Sequence, residues 1–408
     1  MATVKESQIV AAPEGKKKEV TCSAWIRRKE GKNNSDNKLL VVMGRSATAA
    51  SPALLELYTF DPKTSSLSSD PWKFVIGEEG ANPTGFAVHP SGDEFVCATT
   101  KGCKLYKLVP QEFAYHLIAK DEPRLESVGR QKCLAFSTDG SKLAIGGEDG
   151  HLWVFHWPSL DTLIDEPKAH KSFKDMDISL DSELLVSTSI DGSARLWKLT
   201  DGTPLMNLDR SAEEKIQCCR FSRDGMKPFL FCTVEKSGGN VVTVVWDMAT
   251  WKRLGFKRLL RKPISVLSVS LDGKYLALGS NDGDFCVVNV KKMEVQHWSR
   301  KVHLGASVSA IHFCPTERVV ISNSDKWGAE VTKLTVPGDW KVWQAMLVLL
   351  GLFFVSALAM YFFYRTSDSF WNFPMGKNQL PAWKLQEQSH IQGSGSMFID
   401  DSEFPDEL

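Results

Sequence analysis

Short apolar runs separated by polar turns recur along most of the chain. Each copy starts with an apolar residue followed by Ser or Pro, reaches an Asp-Gly or related turn, and then carries two apolar runs that flank a second such turn. The clearest copies are residues 136–154 and 269–285, and residues 178–196 and 221–246 follow the same order. Asp-Gly supplies the positive φ that tight hairpin turns require, and runs rich in Val, Leu, Ile and Phe favour strands. The pattern therefore predicts hairpins of short antiparallel strands.

The spacing of the copies predicts how the strands assemble. Their opening apolar residues lie at positions 88, 136, 178, 221, 269 and 313, so the copies follow one another every 42 to 48 residues. WD repeats have a period of about 40–45 residues, with four strands in each blade of a propeller. A seventh copy is expected upstream, where residues 39–43 and 54–60 are interpreted as paired strands. Because each blade exposes an apolar face that a neighbour must cover, we predict an all-β, seven-bladed WD-type β-propeller with a closed ring. Residues 19–26 are expected to help close this ring, although the pattern does not indicate which blade they join.

The repeated Asp-Gly pairs and the tryptophans have a structural and a functional interpretation. A carboxylate beside glycine could hold a metal ion or a phosphate, but its recurrence from blade to blade favours turn geometry. Trp153, Trp197 and Trp246 are expected near the end of the third strand of their blades. Packing between blades is favoured for them over a ligand pocket.

Residues 345–364 form an uncharged stretch of 20 residues near the end of the chain. At ~1.5 Å per residue, a helix of this length spans about 30 Å, the hydrocarbon thickness of a bilayer. The sequence therefore predicts a single transmembrane helix over residues 343–364, which includes Ala345, Leu350, Phe354, Leu358 and Tyr364. The alternative, a helix buried within the propeller, is disfavoured because propellers lack long helices.

The charge and the cysteines narrow the class of protein and its compartment. Lys plus Arg and Asp plus Glu both number 49, so no net charge draws the chain to nucleic acid. The nine cysteines form no CxxC metal pair, which favours small buried thiols in a reducing compartment. Residues 1–18 are polar and Lys-rich and carry no secretory signal. We therefore expect the propeller, residues 19–338, to be cytosolic.

The C-terminal segment, residues 365–408, is acidic and is expected to be lumenal and disordered. It ends in Asp406, Glu407 and Leu408, which match the last three residues of the ER-retrieval tetrapeptide, but Pro405 replaces the basic residue of that signal. A retrieval signal and a coincidence within an acidic tail are both open at this stage, and the coincidence is favoured.

The sequence contains no motif for bond-making chemistry. HExxH, Walker-A, GxGxxG and GxSxG patterns are absent, and the nine histidines are scattered. We therefore predict no catalytic, cofactor-binding or metal-ligating residue. The rim and central channel of a propeller are usually binding surfaces, which is an analogy at the level of the fold.

The order of the parts and several segments carry a resemblance to a known family. These segments are residues 20–26, 39–46, 136–160, 178–197 and 265–295. They resemble the ER-membrane WD-repeat guanine-nucleotide exchange factors for the Sar-family GTPase and, most closely, the plant relatives of these factors, the phosphate transporter traffic facilitators. The resemblance implies a single-pass protein of the endoplasmic reticulum membrane with its N-terminal propeller in the cytosol. It also implies three kinds of partner: the lipid bilayer, membrane cargo such as phosphate transporters, and the Sar-family GTPase or COPII coat components.

The first-blade loop departs from this family. In the exchange factors, a Gly-rich loop holds a potassium ion and reaches the nucleotide site of the GTPase. The matching segment here has one glycine and no asparagine, and its candidate site residues are Gly44, Arg45, Ser46, Thr48, Ser51 and Pro52. Glycine presents bare carbonyls to an ion at little steric cost, whereas the alanines of this segment do not. The resemblance therefore implies that potassium binding is lost, so that no cofactor is bound, and that exchange activity is lost with it. A plain connecting loop is the favoured interpretation, and a retained contact surface for a transport partner is the alternative.

Three functions are consistent with this pattern. The first is a non-enzymatic trafficking accessory that promotes ER exit of plasma-membrane phosphate transporters through protein–protein contact. The second is an active exchange factor for the Sar-family GTPase that initiates COPII vesicle budding. The third is a scaffold that recruits coat proteins to the membrane.

Overall fold

The computed structural model describes residues 20–29, 37–49, 51–111, 114–336 and 342–366. The chain divides into two units, Met1–Val336 and Pro337–Leu408. All the described strands and a four-residue helix, α1 (Pro123–Glu126), belong to the first unit, and α2 (Val342–Thr366) belongs to the second. The predicted N-terminal segment and most of the C-terminal tail, including Asp406, Glu407 and Leu408, lie outside the described residues.

Seven antiparallel sheets, the blades, follow one another along the first unit. Blade 1 contains β1 (Val20–Lys29), β2 (Asn37–Arg45), β3 (Leu54–Asp61), β4 (Ser66–Leu67) and β5 (Trp72–Val75); blade 2 contains β6 (Pro83–Val88), β7 (Glu94–Thr99), β8 (Cys103–Gln111) and β9 (Ala114–Lys120). Blade 3 contains β10 (Gln131–Phe136), β11 (Lys142–Gly147), β12 (Leu152–His156) and β13 (Thr162–Glu166); blade 4 contains β14 (Phe173–Ile178), β15 (Leu184–Ser189), β16 (Ala194–Lys198) and β17 (Pro204–Asn207). Blade 5 contains β18 (Lys215–Phe221), β19 (Phe229–Lys236), β20 (Asn240–Asp247) and β21 (Arg253–Lys257); blade 6 contains β22 (Ile264–Val269), β23 (Tyr275–Ser280), β24 (Phe285–Asn289) and β25 (Glu294–Ser299); blade 7 contains β26 (Val308–Phe313), β27 (Val319–Ser324) and β28 (Gly328–Lys333).

The first strands of successive blades contact one another and form a closed ring. The ring closes where blade 7 meets blade 1: the Ser23 hydroxyl donates to Asn323 Oδ1 at 2.8 Å, and the Trp25 indole N–H donates to the His312 carbonyl at 3.0 Å. The stretch whose blade the sequence left open is therefore β1, the first strand of blade 1, paired with β2. The predicted seven-bladed propeller is confirmed.

The recurring turn has the local structure that the sequence predicts. In blade 3, the Asp139 carboxylate accepts from the Ser137 hydroxyl at 2.6 Å and from the Ser141 N–H at 3.0 Å. Gly140 follows with φ of 74°, a conformation that costs glycine little. The opening apolar residue, Phe136, is the last residue of β10, so the turn joins the first two strands of the blade. The structural interpretation of the Asp-Gly pairs is thus confirmed for this blade.

The tryptophans follow the prediction in two of three blades. Trp197 and Trp246 lie toward the end of β16 and β20 and are buried. The prediction is wrong for Trp153, which is the second residue of β12 and is half-buried. Phe155 takes the corresponding place opposite Leu143, because β12 begins only one residue before the tryptophan.

All nine cysteines are free and eight of them are buried, with Cys133 half-buried. Burial raises the pKa of the Cys22 and Cys286 thiols to about 12. The expectation of small buried thiols is confirmed.

The alternating strand directions give the propeller two faces. We call the lower face the one with loops between the first and second strands of blades 2–7 (89–93, 137–141, 179–183, 222–228, 270–274 and 314–318) and between the third and fourth strands. We call the upper face the one with loops between the second and third strands (46–53, 100–102, 148–151, 190–193, 237–239, 281–284 and 325–327) and with the links between blades.

The second unit contributes α2, which carries the predicted span. At ~1.5 Å per residue its 25 residues extend about 37 Å. It is the one helix among the described residues that is long and apolar enough to cross a membrane, over Met346–Arg365. Ala345 lies in α2, and Leu350, Phe354, Leu358 and Tyr364 are exposed along it. The alternative of a helix buried within the propeller is therefore wrong.

Candidate functional site

The loop between β2 and β3 in blade 1 is the site that the sequence singles out. Gly44 and Arg45 are the last two residues of β2, so the loop itself begins at Ser46. Its tip closes on itself: the Thr48 N–H donates to the Ser51 carbonyl at 2.9 Å, and the Ser51 N–H donates to the Thr48 carbonyl at 3.4 Å. The two hydroxyls also share a hydrogen bond of 2.9 Å. The tip is a small turn whose polar groups bond one another, and Pro52 after it is exposed.

The link between blades 1 and 2 supports this loop. Asn82 Oδ1 accepts a hydrogen bond from the Ala47 N–H at 2.8 Å. The Asn82 N–H donates to Thr100 Oγ1 at 3.1 Å, and the Thr100 hydroxyl donates to the Gly80 carbonyl at 2.7 Å. The sequence prediction missed Asn82, because it is 35 residues from Ala47 and only the packing of two blades brings the two together.

Gly44 is fixed by close packing at the base of the loop. A Cβ at this position would lie 2.7 Å from Cys22 Sγ and 2.8 Å from Pro83 Cβ, closer than side chains approach one another. The Thr21 hydroxyl donates to the Pro83 carbonyl at 2.7 Å and so joins β1 to β6 beside it. The glycine is therefore required for the contact between blades 1 and 2, and it does not give the loop freedom to move.

Arg45 belongs to a buried polar cluster and not to the loop surface. Its Nε donates to Glu56 Oε2 at 2.6 Å, and the Tyr58 hydroxyl donates to the same oxygen at 2.8 Å. Burial, together with the Glu56 carboxylate, raises the pKa of Tyr58 to about 12. The cluster links β2 to β3 at the base of the loop, and no sequence motif predicts it.

Charged side chains pair between the link from blade 1 to blade 2 and the strands of blade 2. Glu78 lies 3.0 Å from the Lys104 ammonium and 3.4 Å from that of Lys101. The hydrogen bond from Lys104 contributes most to lowering the pKa of Glu78. The three side chains form a paired charge cluster in which only Lys101 is exposed.

The buried contact between His170 and Ser187 is structural. His170 Nε2 lies 2.8 Å from Ser187 Oγ, which also accepts from the Trp197 indole N–H at 2.9 Å. Ser187 is 0% exposed, so no substrate can reach its hydroxyl. Burial, with a contribution from the nearby Arg195, lowers the pKa of His170 to about 4. The group is a neutral hydrogen-bonded network in the core of blade 4.

The described residues also offer no cluster of His, Cys, Asp or Glu that could hold a metal ion. Of the six candidate residues, Ser46, Thr48, Ser51 and Pro52 are brought together at the loop, and Gly44 and Arg45 form its buried base. What this arrangement offers is an exposed loop tip on a rigid base, a geometry suited to contact with another protein.

Comparison with known proteins places this architecture in a family. The family model described as "WD domain, G-beta repeat" matches residues 127–156 and 161–198. The chain is 51% identical over 365 residues to SEC12-like protein 1 of Arabidopsis thaliana, covering 88% of this chain and 90% of that protein. It is 34% identical over 286 residues to SEC12-like protein 2 of the same plant, covering 68% and 71%. It is also 25% identical over 312 residues to guanine nucleotide-exchange factor SEC12 of Mus musculus, covering 69% and 70%. The chain therefore belongs to the SEC12-like family of WD-repeat proteins.

Proposed function

We propose that this protein is a trafficking accessory of the endoplasmic reticulum membrane that promotes ER exit of plasma-membrane phosphate transporters. It acts by protein–protein contact and does not exchange nucleotide. The observation that carries the proposal is the self-bonded tip of the first-blade loop, in which Thr48 and Ser51 pair with each other. A loop of this kind can form a contact surface, and its Thr48 and Ser51 oxygens are already hydrogen-bonded to each other's groups.

The oxygen atoms of the loop support the absence of potassium binding. An ion held by a loop needs several carbonyl or hydroxyl oxygens that converge on it in place of its hydration shell. Here the Thr48 and Ser51 carbonyls accept backbone hydrogen bonds, and their hydroxyls bond each other. The nearby amide oxygen of Asn82 is occupied by the Ala47 N–H. That these oxygens already have hydrogen-bond partners supports the proposal that the loop holds no ion.

Two observations support the proposed location in the endoplasmic reticulum membrane: the helix α2 and the family of the chain. α2 has the length and composition of a span, and the relatives are named for SEC12. The proposed topology has the propeller in the cytosol, where the Sar-family GTPase, coat components and the cytosolic parts of cargo are accessible. In this topology the protein contacts two partners at the same time, the lipid bilayer and a membrane transporter.

Nucleotide-release kinetics test the first half of the proposal. The full chain, reconstituted in liposomes with a fluorescent-nucleotide-loaded Sar-family GTPase, is expected to leave the release rate at its spontaneous value in potassium and in sodium buffer. An exchange factor named SEC12 serves as the positive control. Acceleration that depends on potassium would overturn the assignment of the loop.

Transporter location tests the second half. Cells lacking the protein are expected to retain phosphate transporters in the endoplasmic reticulum, while an unrelated plasma-membrane protein reaches the surface. Re-expression of the intact chain should restore delivery, and normal surface delivery without the protein would refute the proposal.

The alternative function is an active exchange factor for the Sar-family GTPase. The observation in its favour is the 25% identity over 312 residues to a protein named as an exchange factor. The release assay separates the two candidates directly, because only this alternative predicts a faster rate.

A further inference from the structure

The outer strand of blade 5, β21, is open to solvent along its whole length. All five of its residues are exposed, whereas the outer strands of blades 3, 4 and 6 each contain at least one residue that is buried or half-buried. One edge of β21 pairs with β20, and no described strand pairs with its other edge. The free edge of a sheet offers unpaired N–H and C=O groups to which a further strand can bond. β21 therefore has the geometry of a site for an extended peptide.

The side chains of β21 leave apolar surface uncovered beside this edge. Leu254 and Phe256 are 58% and 68% exposed. A Cβ on Gly255, between them, would meet nothing within 4 Å, so the middle of the strand is open to the close approach of another backbone. The Lys236 ammonium lies 4.4 Å from the centre of the Phe256 ring. An extended segment laid along β21 would cover apolar side chains that the fold itself leaves exposed.

The strand lies in the most basic stretch of its blade. Six of the eleven residues from 252 to 262 are Lys or Arg, and none is Asp or Glu. Lys252 immediately precedes β21 and Lys257 ends it, and both are exposed. At ~3.3 Å per residue, five positions of extended chain separate their Cα atoms by about 17 Å. The outer strands of blades 3, 4 and 6 carry no Lys or Arg, so this charge is specific to blade 5.

Some of these cations serve the fold and others are free for a partner. The Arg253 guanidinium lies 2.8 Å from the Glu214 carboxylate, and the Lys262 ammonium lies 2.9 Å from that of Asp284. Within the part of the chain that the structure describes, three further exposed cations have no carboxylate within ion-pair distance: Lys252, Lys257 and Arg261. The basic stretch therefore keeps uncompensated charge at both ends of β21.

The acidic groups of blade 5 do not balance this charge. Asp247 accepts from the Thr250 hydroxyl at 2.6 Å in the turn before β21, and Glu213 accepts from the Ser237 hydroxyl at 2.8 Å. Residues 209–263, which contain blade 5 and its links, hold twelve Lys or Arg against six Asp or Glu, in a chain without net charge. A complementary occupant of this edge is therefore acidic.

The charge and the free edge together select the kind of occupant. Two copies of β21 paired with each other would place Lys252 and Lys257 against like charges, which destabilises a strand pair. An anionic headgroup could neutralise the lysines, but it offers no backbone groups to the free edge. An acidic segment in extended conformation satisfies both requirements.

We propose that β21 binds an extended, acidic segment of a partner protein by β-strand addition. The carboxylates of the segment lie beside Lys252, Lys257 and Arg261, and its apolar side chains pack against Leu254 and Phe256. In this mode of recognition, backbone hydrogen bonds supply affinity and the side chains supply specificity. The inference goes beyond the proposed trafficking function, since it assigns a peptide-binding strand that this function does not specify.

The binding of a designed peptide tests the charge requirement. The probe is a rhodamine-labelled peptide of alternating glutamate and valine, and its binding to the full chain in non-ionic detergent is followed by fluorescence anisotropy. Lys252→Glu combined with Lys257→Glu should weaken binding about tenfold or more, because two attractive contacts become repulsive. The matched control, Lys107→Glu combined with Lys120→Glu, makes the same change of net charge at exposed positions of blade 2 and should leave the affinity unchanged. No weakening by the first pair, or equal weakening by the two pairs, would overturn the proposal.

Two further measurements test the pairing of backbones. Hydrogen–deuterium exchange should slow at residues 253–257 when the probe binds. A peptide in which proline replaces each valine keeps the charge but loses every second N–H donor, and it should bind several-fold more weakly. Unchanged exchange in β21, or equal binding of the proline peptide, would refute strand addition. Soluble short-chain phosphatidylserine should not displace the probe, and displacement would assign β21 to anionic headgroups and overturn the proposal. The nucleotide-release and transporter-location assays do not depend on these results.

Discussion

The buried pair of Arg45 and Glu56 below the first-blade loop offers a stringent test of how this site is held. The perturbation is Glu56→Gln, which keeps the shape of the side chain and removes its charge. Arg45 Nε lies 2.6 Å from Glu56 Oε2, and the two side chains are 10% and 5% exposed. The substitution therefore leaves a buried guanidinium without its counter-ion.

The magnitude follows from this burial. Removing one partner of a buried pair costs about 3–5 kcal/mol, because the remaining charge stays desolvated without compensation. Unfolding entropy is about 2.1 cal/mol/K per residue, so a unit of about 320 residues loses about 4–7 °C of melting temperature for that cost. Replacing the whole cluster in R45M/E56L/Y58F removes every charge and the Tyr58 hydroxyl together. Its cost should be much smaller, since apolar replacement of a buried pair is often neutral.

The assay is thermal unfolding of the full chain in detergent, followed by tryptophan fluorescence. We expect Glu56→Gln to melt well below the wild type and the triple variant to recover most of the loss. A melting temperature of Glu56→Gln indistinguishable from the wild type would refute the reasoning, as would a triple variant no more stable than the single one.

Three further predictions follow from particular contacts. Gly44→Ala should lower the free energy of unfolding by about 1–3 kcal/mol through overpacking against Cys22, measured as a lower melting temperature. Gly225→Ala, whose Cβ meets nothing closer than 3.8 Å, should leave the melting temperature unchanged. Equal effects of the two substitutions would contradict this. Burial lowers the pKa of His170 from 6.5 to about 4, so between these pH values the unfolded chain binds a proton that the folded chain does not. The free energy of unfolding should therefore be full above pH 6.5 and fall by about 3 kcal/mol as the pH drops toward 4. His170→Gln should flatten this part of the curve of melting temperature against pH. Alkaline carbonate should leave the intact chain in the vesicle fraction and release a chain that lacks residues 342–366; release of the intact chain would mean that α2 does not span the bilayer.

The ring of blades was predictable because each blade repeats a local rule. A turn such as 137–141 needs only its own residues: Asp139 accepts hydrogen bonds from neighbours two positions away, and Gly140 takes positive φ. The periodic copies of this turn then mark the end of each first strand along the chain. The span was predictable for a similar reason, since the number of consecutive uncharged residues is itself the physical requirement.

The base of the first-blade loop was not predictable, because its contacts join distant parts of the chain. Asn82 meets Ala47 across 35 residues, and Gly44 is confined by Pro83 of the next blade. The sequence analysis grouped Gly44 with the loop, whereas the structure places it at the end of β2 and gives it a packing role. The predicted position of Trp153 near the end of its strand was also wrong. The start of β12 is set by the preceding turn and by pairing with β11, and not by the tryptophan.

The difference between base and tip explains how a loop in this position can change function while the propeller stays intact. The base is fixed by the Gly44 contact and the Arg45–Glu56 pair, so we expect substitutions there to destabilise the whole blade. The tip is held by hydrogen bonds between Thr48 and Ser51 and by Asn82 at Ala47, and residues 47–49 are exposed, so substitutions there should destabilise the blade less than substitutions at the base. Under the proposed function, glycines at the alanine positions would not by themselves create an ion site, because the Thr48 and Ser51 carbonyls each accept a hydrogen bond from the other residue's backbone N–H. We therefore expect alanine-to-glycine substitutions at 47 and 49 to leave nucleotide release unchanged in potassium and in sodium buffer. A potassium-dependent acceleration in this variant would contradict the reasoning, because it would show that the Thr48–Ser51 pairing does not keep an ion out.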